Sequence, residues 1–189
     1  MSKIIDLFRS KVGCKEEFAN MVRPHVEVMF RMAWRWTRNT EDAEDLVQDV
    51  LVKLAAKVEE MREVEDLRPW MIKVLYHRYV DVFRRERSSP FVERTDDDEA
   101  DLDFVVPIPG SVNFIERLQI QDELRSAIDR LEPGHRDVIL LHDVEGYTAT
   151  ETAEILTISP GTVKSRLHRA RKKLKKILLA GTIPVVHSC

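Results

Sequence analysis

Two cysteines in 189 residues, Cys14 and Cys189, leave no material for a disulfide framework and fit a reducing compartment. No stretch approaches the ~18 consecutive apolar residues that a membrane-spanning helix needs. The N-terminus, MSKIIDLFRSK, has neither an apolar core of signal-peptide length nor a small-residue cleavage site. The expectation is a cytoplasmic protein without membrane insertion. Runs that alternate at period two are few and β-branched clusters are scarce, which argues against sheets. No glycine-rich phosphate loop occurs, and the six histidines form no nucleophile or metal-ligand pattern. No enzyme activity, cofactor or metal is therefore expected. His187 and Cys189 are two potential ligands in the tail, too few for a closed site. Positive charge is not in excess either. A formal net charge of -3 and a pI of about 6.1 argue against a protein that coats nucleic acid without specificity.

Charge is plentiful but segregated. Pro160 to Lys176 carries eight Lys/Arg and no Asp/Glu, whereas Glu93 to Asp103 carries seven acids and one Arg. The acidic run lies within Ser88 to Asn113, which also holds Pro90, Pro107, Pro109 and Gly110. Proline and glycine break regular elements and like charges repel, so a packed core is not expected there. The chain therefore reads as an all-α protein of two small helical bundles, residues 1–90 and 114–180. A flexible acidic linker, 91–113, joins them, and a tail, 181–189, follows.

In the first bundle a short amphipathic helix is expected over Lys15–Met21 and a second from about Pro24 to Thr37. A third begins after Asn39-Thr40, with Glu41 and Asp42 at its positive dipole end. Leu46, Val50 and Leu54 form its apolar stripe, while Asp45, Gln48, Asp49 and Val52 share another face. A fourth helix is expected from near Pro69 to about Arg87. Aromatic and basic residues interleave on this helix. Lys73, His77, Arg78, Asp81 and Arg84 fall roughly on one exposed face, and most of the aromatics belong to the core.

The second bundle opens with a helix from about Phe114 to Leu131, ended by Pro133-Gly134. Another runs from His135 to Val144, with Gly146 as its stop. Thr148-Ala-Thr-Glu151 has the form of a capping box, and Ser159-Pro160 that of a cap followed by a first-position proline. The last helix is expected over Pro160 to about Leu179. Two helices joined at Thr157-Ile158 make a helix-turn-helix pattern. Val163, Leu167, Ala170, Leu174 and Leu178 should face the core. Thr162, Lys164, Ser165, Arg166, His168 and Arg169 lie on other faces of the N-terminal half, the part that reaches base edges in the major groove. Arg suits a guanine edge, and Ser or Thr suits bases or phosphates. Lys172 and its basic neighbours lie further along, toward phosphates or solvent.

The segment GYTATETAEILTISPGTVKSRLHRARKKL resembles region 4 of the extracytoplasmic-function (ECF) sigma factors, departing at Thr152 and Pro160. Alone it would also fit a stand-alone regulator. NTEDAEDLVQDVLVKL resembles the more distinctive region 2.2, which docks on the coiled coil of the polymerase β′ subunit. Without the resemblance its acids would read as a solvated surface. RPWMIKVLYHRYVDVFRRERSS resembles regions 2.3 and 2.4, where the family melts and captures the −10 element, although the family pattern carries Asn at the position of His77; by the same resemblance about Glu60 to Leu67 corresponds to the loop that holds the flipped base. The resemblance implies a non-catalytic subunit of RNA polymerase. It makes Asp45, Gln48, Asp49 and Val52 polymerase contacts, and Lys73, His77, Arg78, Asp81 and Arg84 contacts to the −10 strand. Thr162, Lys164, Ser165, Arg166, His168, Arg169 and Lys172 become −35 contacts. The implied partners are core polymerase (the β′ coiled coil and the β flap), promoter DNA and an anti-sigma factor.

Overall fold

The computed structural model describes residues 15–84 and 114–181, with side chains for 15–82 and 120–180. The expected linker and tail, with Cys14, His187 and Cys189, lie outside the described residues, as does the side chain of Arg84. The chain divides between Asp101 and Leu102 into two compact units. Among the described residues every regular element is helical.

The first unit contains α1 (15–22), α2 (Val26–Thr37), α3 (Thr40–Ala55), α4 (Val58–Arg62) and α5 (Leu67–Tyr79). A π-helical turn, Val80–Arg84, continues α5. Pro24 does not open α2 as expected. The His25 N–H bonds to the Val22 carbonyl at 2.8 Å, so the proline sits in the turn that closes α1, where its missing N–H breaks no ladder. Arg38 ends α2 in the left-handed region at φ 60, and its N–H donates to Trp34 O at 2.8 Å. Asn39 then caps α3 as expected, its side chain accepting from the Asp42 N–H at 2.9 Å. Leu46, Val50 and Leu54 are buried, as are Met29, Met32 and Trp36 of α2 and Met71, Ile72 and Leu75 of α5, and α3 packs on both of those helices.

Two boundaries differ from the sequence expectation. Residues Glu60–Arg62 belong to α4, a single turn anchored by the buried Val58 and Met61. Arg62 fixes that turn by donating to both oxygens of Glu17 on α1, each at 2.7 Å, and to Glu59. The α5 helix starts at Leu67, before Pro69, because Asp66 caps it by accepting from the Arg68 N–H at 2.9 Å. Pro69 then falls in the first turn, where backbone N–H groups have no intrahelical partner.

The second unit contains α6 (Phe114–Asp129), α7 (Pro133–Val138), α8 (Ala149–Leu156) and α9 (Pro160–Gly181). A π-helical stretch, Ile139–Val144, prolongs α7 and buries Ile139, Leu140 and Leu141. Pro133 opens α7 at its first turn rather than only terminating α6. Gly146 stops the stretch at φ 78, a conformation that a side chain would strain. The capping box is present: the Thr148 N–H donates to Glu151 Oε2 at 2.6 Å, and the Glu151 N–H donates to Thr148 Oγ1 at 3.2 Å. Val163, Leu167 and Ala170 are buried as expected, whereas Leu174 and Leu178 are half-buried.

Candidate functional site

In the second unit α8, a short turn and α9 form a helix-turn-helix. Thr157 closes α8 at φ 55, and the Ile158 N–H bonds back to Ala153 O at 3.0 Å. Ser159 caps α9, its Oγ accepting from the Thr162 N–H at 3.1 Å and lying 2.8 Å from Thr162 Oγ1. Ser165 Oγ donates to Thr162 O at 3.0 Å. Both small hydroxyls therefore serve the local helix start as well as the face they occupy. Lys164, Ser165, His168, Arg169 and Lys172 are exposed, and among the described residues Lys164, Arg169 and Lys172 have no carboxylate partner. Arg166 is half-buried and lies across Gly134, where a Cβ would stand 3.2 Å from its Nη1.

Not all of the basic residues on α9 are available to DNA. Arg171 donates from Nε and Nη2 to both oxygens of Asp143, at 2.8 and 2.6 Å. Lys173 donates to Glu132 at 2.8 Å. These residues, expected toward phosphates or solvent, clamp α9 to the α7 region instead. Burial pushes the Asp143 carboxyl up, but hydrogen bonds from Arg171 and His142 and their charges outweigh it and hold the group below the usual range. The hydrogen bond from Lys173 also lowers Glu132.

In the first unit Asp45, Gln48 and Val52 stand exposed on α3, with Val52 at 67%. Gln48 and Val52 line an apolar groove of about 520 Å³ between α1, α2 and α3, whose walls also include Phe18, Phe30, Val47 and Leu51, with Glu44 and Gln48 at its polar edge. The sequence reading had only the polar face and Val52. Leu51 beside Val52, both outside the Leu46-Val50-Leu54 stripe, was the signal that α3 is apolar over more than its buried seam.

The residues expected on one exposed face of the fourth helix differ in exposure. His77 and Asp81 are exposed and Lys73 is half-buried. Arg78 turns toward α3, where its Nε donates to Asp49 Oδ2. Asp49 also accepts from Lys53 at 3.0 Å. Burial raises the Asp49 carboxyl, yet the hydrogen bonds and charges of Lys53 and Arg78 leave it below its ordinary value. Tyr76 and Tyr79 are buried around Trp36, with ring centroids 5.2 and 5.6 Å away, which leaves His77 and the half-buried Trp70 as the accessible rings on this helix among the described side chains.

A capped helix-turn-helix with an exposed basic face, in a chain whose other helical unit bears an apolar groove with an acidic edge, defines a helical protein with a DNA-binding module. Residues 21–89 match the family description "Sigma-70 region 2", and residues 121–174 match "Sigma-70, region 4". The ECF RNA polymerase sigma factor SigE of Mycolicibacterium smegmatis is 30% identical over 84% of this chain and 60% of its own length. RNA polymerase sigma factor SigV of Bacillus subtilis is 28% identical over 88% of this chain and 94% of its own. The chain thus spans less than two thirds of SigE. A solved structure of the sigma factor RpoE in complex with the anti-sigma factor NepR from Bartonella quintana has the same fold, with a TM-score of 0.64, 23% identity and coverage of 87% of this chain and 98% of that one. The chain belongs to the sigma-70 family, in its extracytoplasmic-function branch.

Proposed function

We propose that this chain is an alternative sigma factor that binds core RNA polymerase and directs promoter-specific initiation through −35 and −10 elements. The observation that carries the reading is that one chain holds both a capped, basic helix-turn-helix and a separate unit with an apolar groove and acidic residues on α3. The domain assignment is 1–90 for docking and −10 capture, 91–113 for the linker and 114–180 for the −35 element. The groove accepts an amphipathic helix, with Val52 and Leu51 as apolar anchors, while Gln48 at its edge and the exposed Asp45 of the same helix meet basic residues of that partner. Lys164, Ser165, His168 and Arg169 face the duplex, Arg166 reaches it from beside Gly134, Thr162 positions the helix start, and Lys172 meets phosphate. Lys73, His77, Arg78, Asp81 and Arg84 serve the −10 strand. RNA synthesis belongs to the polymerase, so the reading gives this chain no catalytic step. It places the chain in the cytoplasm, in keeping with the lack of a helix long and apolar enough to cross a membrane among the described residues. An anti-sigma factor is the expected antagonist.

The test is pull-down of core polymerase with Val52→Asp and Asp45→Lys. Both positions are exposed, so the fold should be unaffected. Binding should fall by at least tenfold for Val52→Asp, with wild-type circular dichroism. Undiminished binding of both variants would remove the groove from the interface.

A further inference from the structure

The Asp49–Arg78 ion pair joins two surfaces to which the proposed function gives different partners. Asp49 stands in the α3 row with Asp45, Gln48 and Val52, and Arg78 follows His77 on α5. The two are 29 residues apart in sequence. Among the described residues Asp49 is the carboxylate that reaches Arg78, and it is shared with Lys53 at 3.0 Å. The side chains are 36% and 37% exposed, so water, ions and partners reach the pair. A guanidinium binds a phosphate through the same N–H fork that it offers a carboxylate, so Asp49 and a nucleic-acid phosphate compete for one group. A cation arriving on the α3 face competes in turn for Asp49. Exposed pairs of this kind are weak enough for such exchange. The Arg171–Asp143 pair, bidentate and within the second unit, has no such position between two surfaces.

We propose that Asp49 is a positioning residue that withholds Arg78 from single-stranded nucleic acid until a cationic element of core polymerase engages the α3 face. The proposal rests on the functional reading above. Docking and strand capture are then coupled through one pair: occupation of Asp49 by the polymerase frees a phosphate ligand on the neighbouring helix.

The experiment is fluorescence anisotropy of the free chain on a labelled thymidine dodecamer over a salt series, with Asp49→Ala, Arg78→Ala, the double variant and Asp45→Ala. Alanine favours helix at both aspartate positions. Asp49→Ala should tighten binding about 2- to 5-fold, the span of an exposed pair. It should also steepen the log–log salt slope by about 0.7, one additional phosphate neutralised on a single strand. Arg78→Ala alone should bind like wild type, and the double variant should match Arg78→Ala. Asp45→Ala, which removes the same charge from the same helix, should leave the slope unchanged. The idea is overturned by wild-type affinity and slope in Asp49→Ala, by a gain that survives in the double variant, or by an equal gain in Asp45→Ala. In a second arm, added core polymerase should abolish the difference between wild type and Asp49→Ala, and a persisting difference refutes the coupling. Failure of the wild-type chain to bind core at all overturns the functional reading as well, and is read from that arm alone.

Discussion

Thr152 offers a stability test of the helix-turn-helix scaffold. It lies in the middle of α8 with 0% exposure, and its Oγ1 has no hydrogen-bond partner among the described residues. A hydroxyl buried without a partner costs about 1–3 kcal/mol. Valine has the same branched shape and a similar helix propensity, so Thr152→Val removes the hydroxyl without opening a cavity. The expected gain is about 1–2 kcal/mol, or roughly 4–8 °C in Tm for each kcal/mol in a domain of this size. The assay can separate the two units. All three tryptophans, Trp34, Trp36 and Trp70, lie in the first unit, so their emission follows that unit alone, whereas far-ultraviolet circular dichroism follows both. Thr152→Val should shift the circular-dichroism transition of the second unit upward and leave the tryptophan transition unmoved. Thr152→Ser, which keeps the hydroxyl and loses a buried methyl, should lower the same transition by about 1 kcal/mol. A Thr152→Val midpoint equal to or below wild type would show that the hydroxyl is satisfied and the reasoning wrong.

Three further outcomes are expected. Thr157 is a β-branched residue held at φ 55, so Thr157→Gly should stabilise the second unit by about 0.5–1 kcal/mol without changing duplex affinity; a loss of stability in denaturant titration would contradict the strain. The folded Asp143 carboxyl binds its proton more weakly than the unfolded one, so its contribution is present above the unfolded pKa and is lost as pH falls through the folded value. Asp143→Asn should therefore lower stability at neutral pH and flatten its dependence below about pH 4, whereas an unchanged acid slope would dismiss the clamp. On the recognition helix, Arg166→Ala should lose about 1–3 kcal/mol of discrimination at one −35 position, while Lys172→Ala should weaken all duplexes alike and reduce the salt slope by about 0.9. Equal losses of Arg166→Ala on every duplex would assign that residue to phosphate instead.

The parts of this structure that were legible in the sequence are those in which the interacting groups are close along the chain. Asn39, the Thr148–Glu151 capping box and Ser159 satisfy backbone groups within three residues, so residue type and spacing specify them. The Leu46-Val50-Leu54 stripe follows from helical periodicity in the same way. The ion pairs Arg62–Glu17, Arg78–Asp49, Arg171–Asp143 and Lys173–Glu132 span 28 to 45 residues, and periodicity cannot say which surface charge meets which. For this reason Arg78 was grouped with His77 and Arg171 with the solvent-facing bases. Pro133 was read as a stop because the same residue ends one helix and begins another, and only the path of the chain between Asp129 and Pro133 decides. The groove beside Val52 escaped because its walls come from three helices.

The most direct test of the account is run-off transcription with purified core polymerase, this chain and fragmented genomic DNA, followed by mapping of the transcript 5′ ends. The account predicts new start sites that depend on the chain and share two sequence elements at fixed distances upstream, with Val52→Asp abolishing them. Sequence-specific duplex binding by the purified chain with no chain-dependent start sites would contradict it and leave a DNA-binding protein that does not program polymerase.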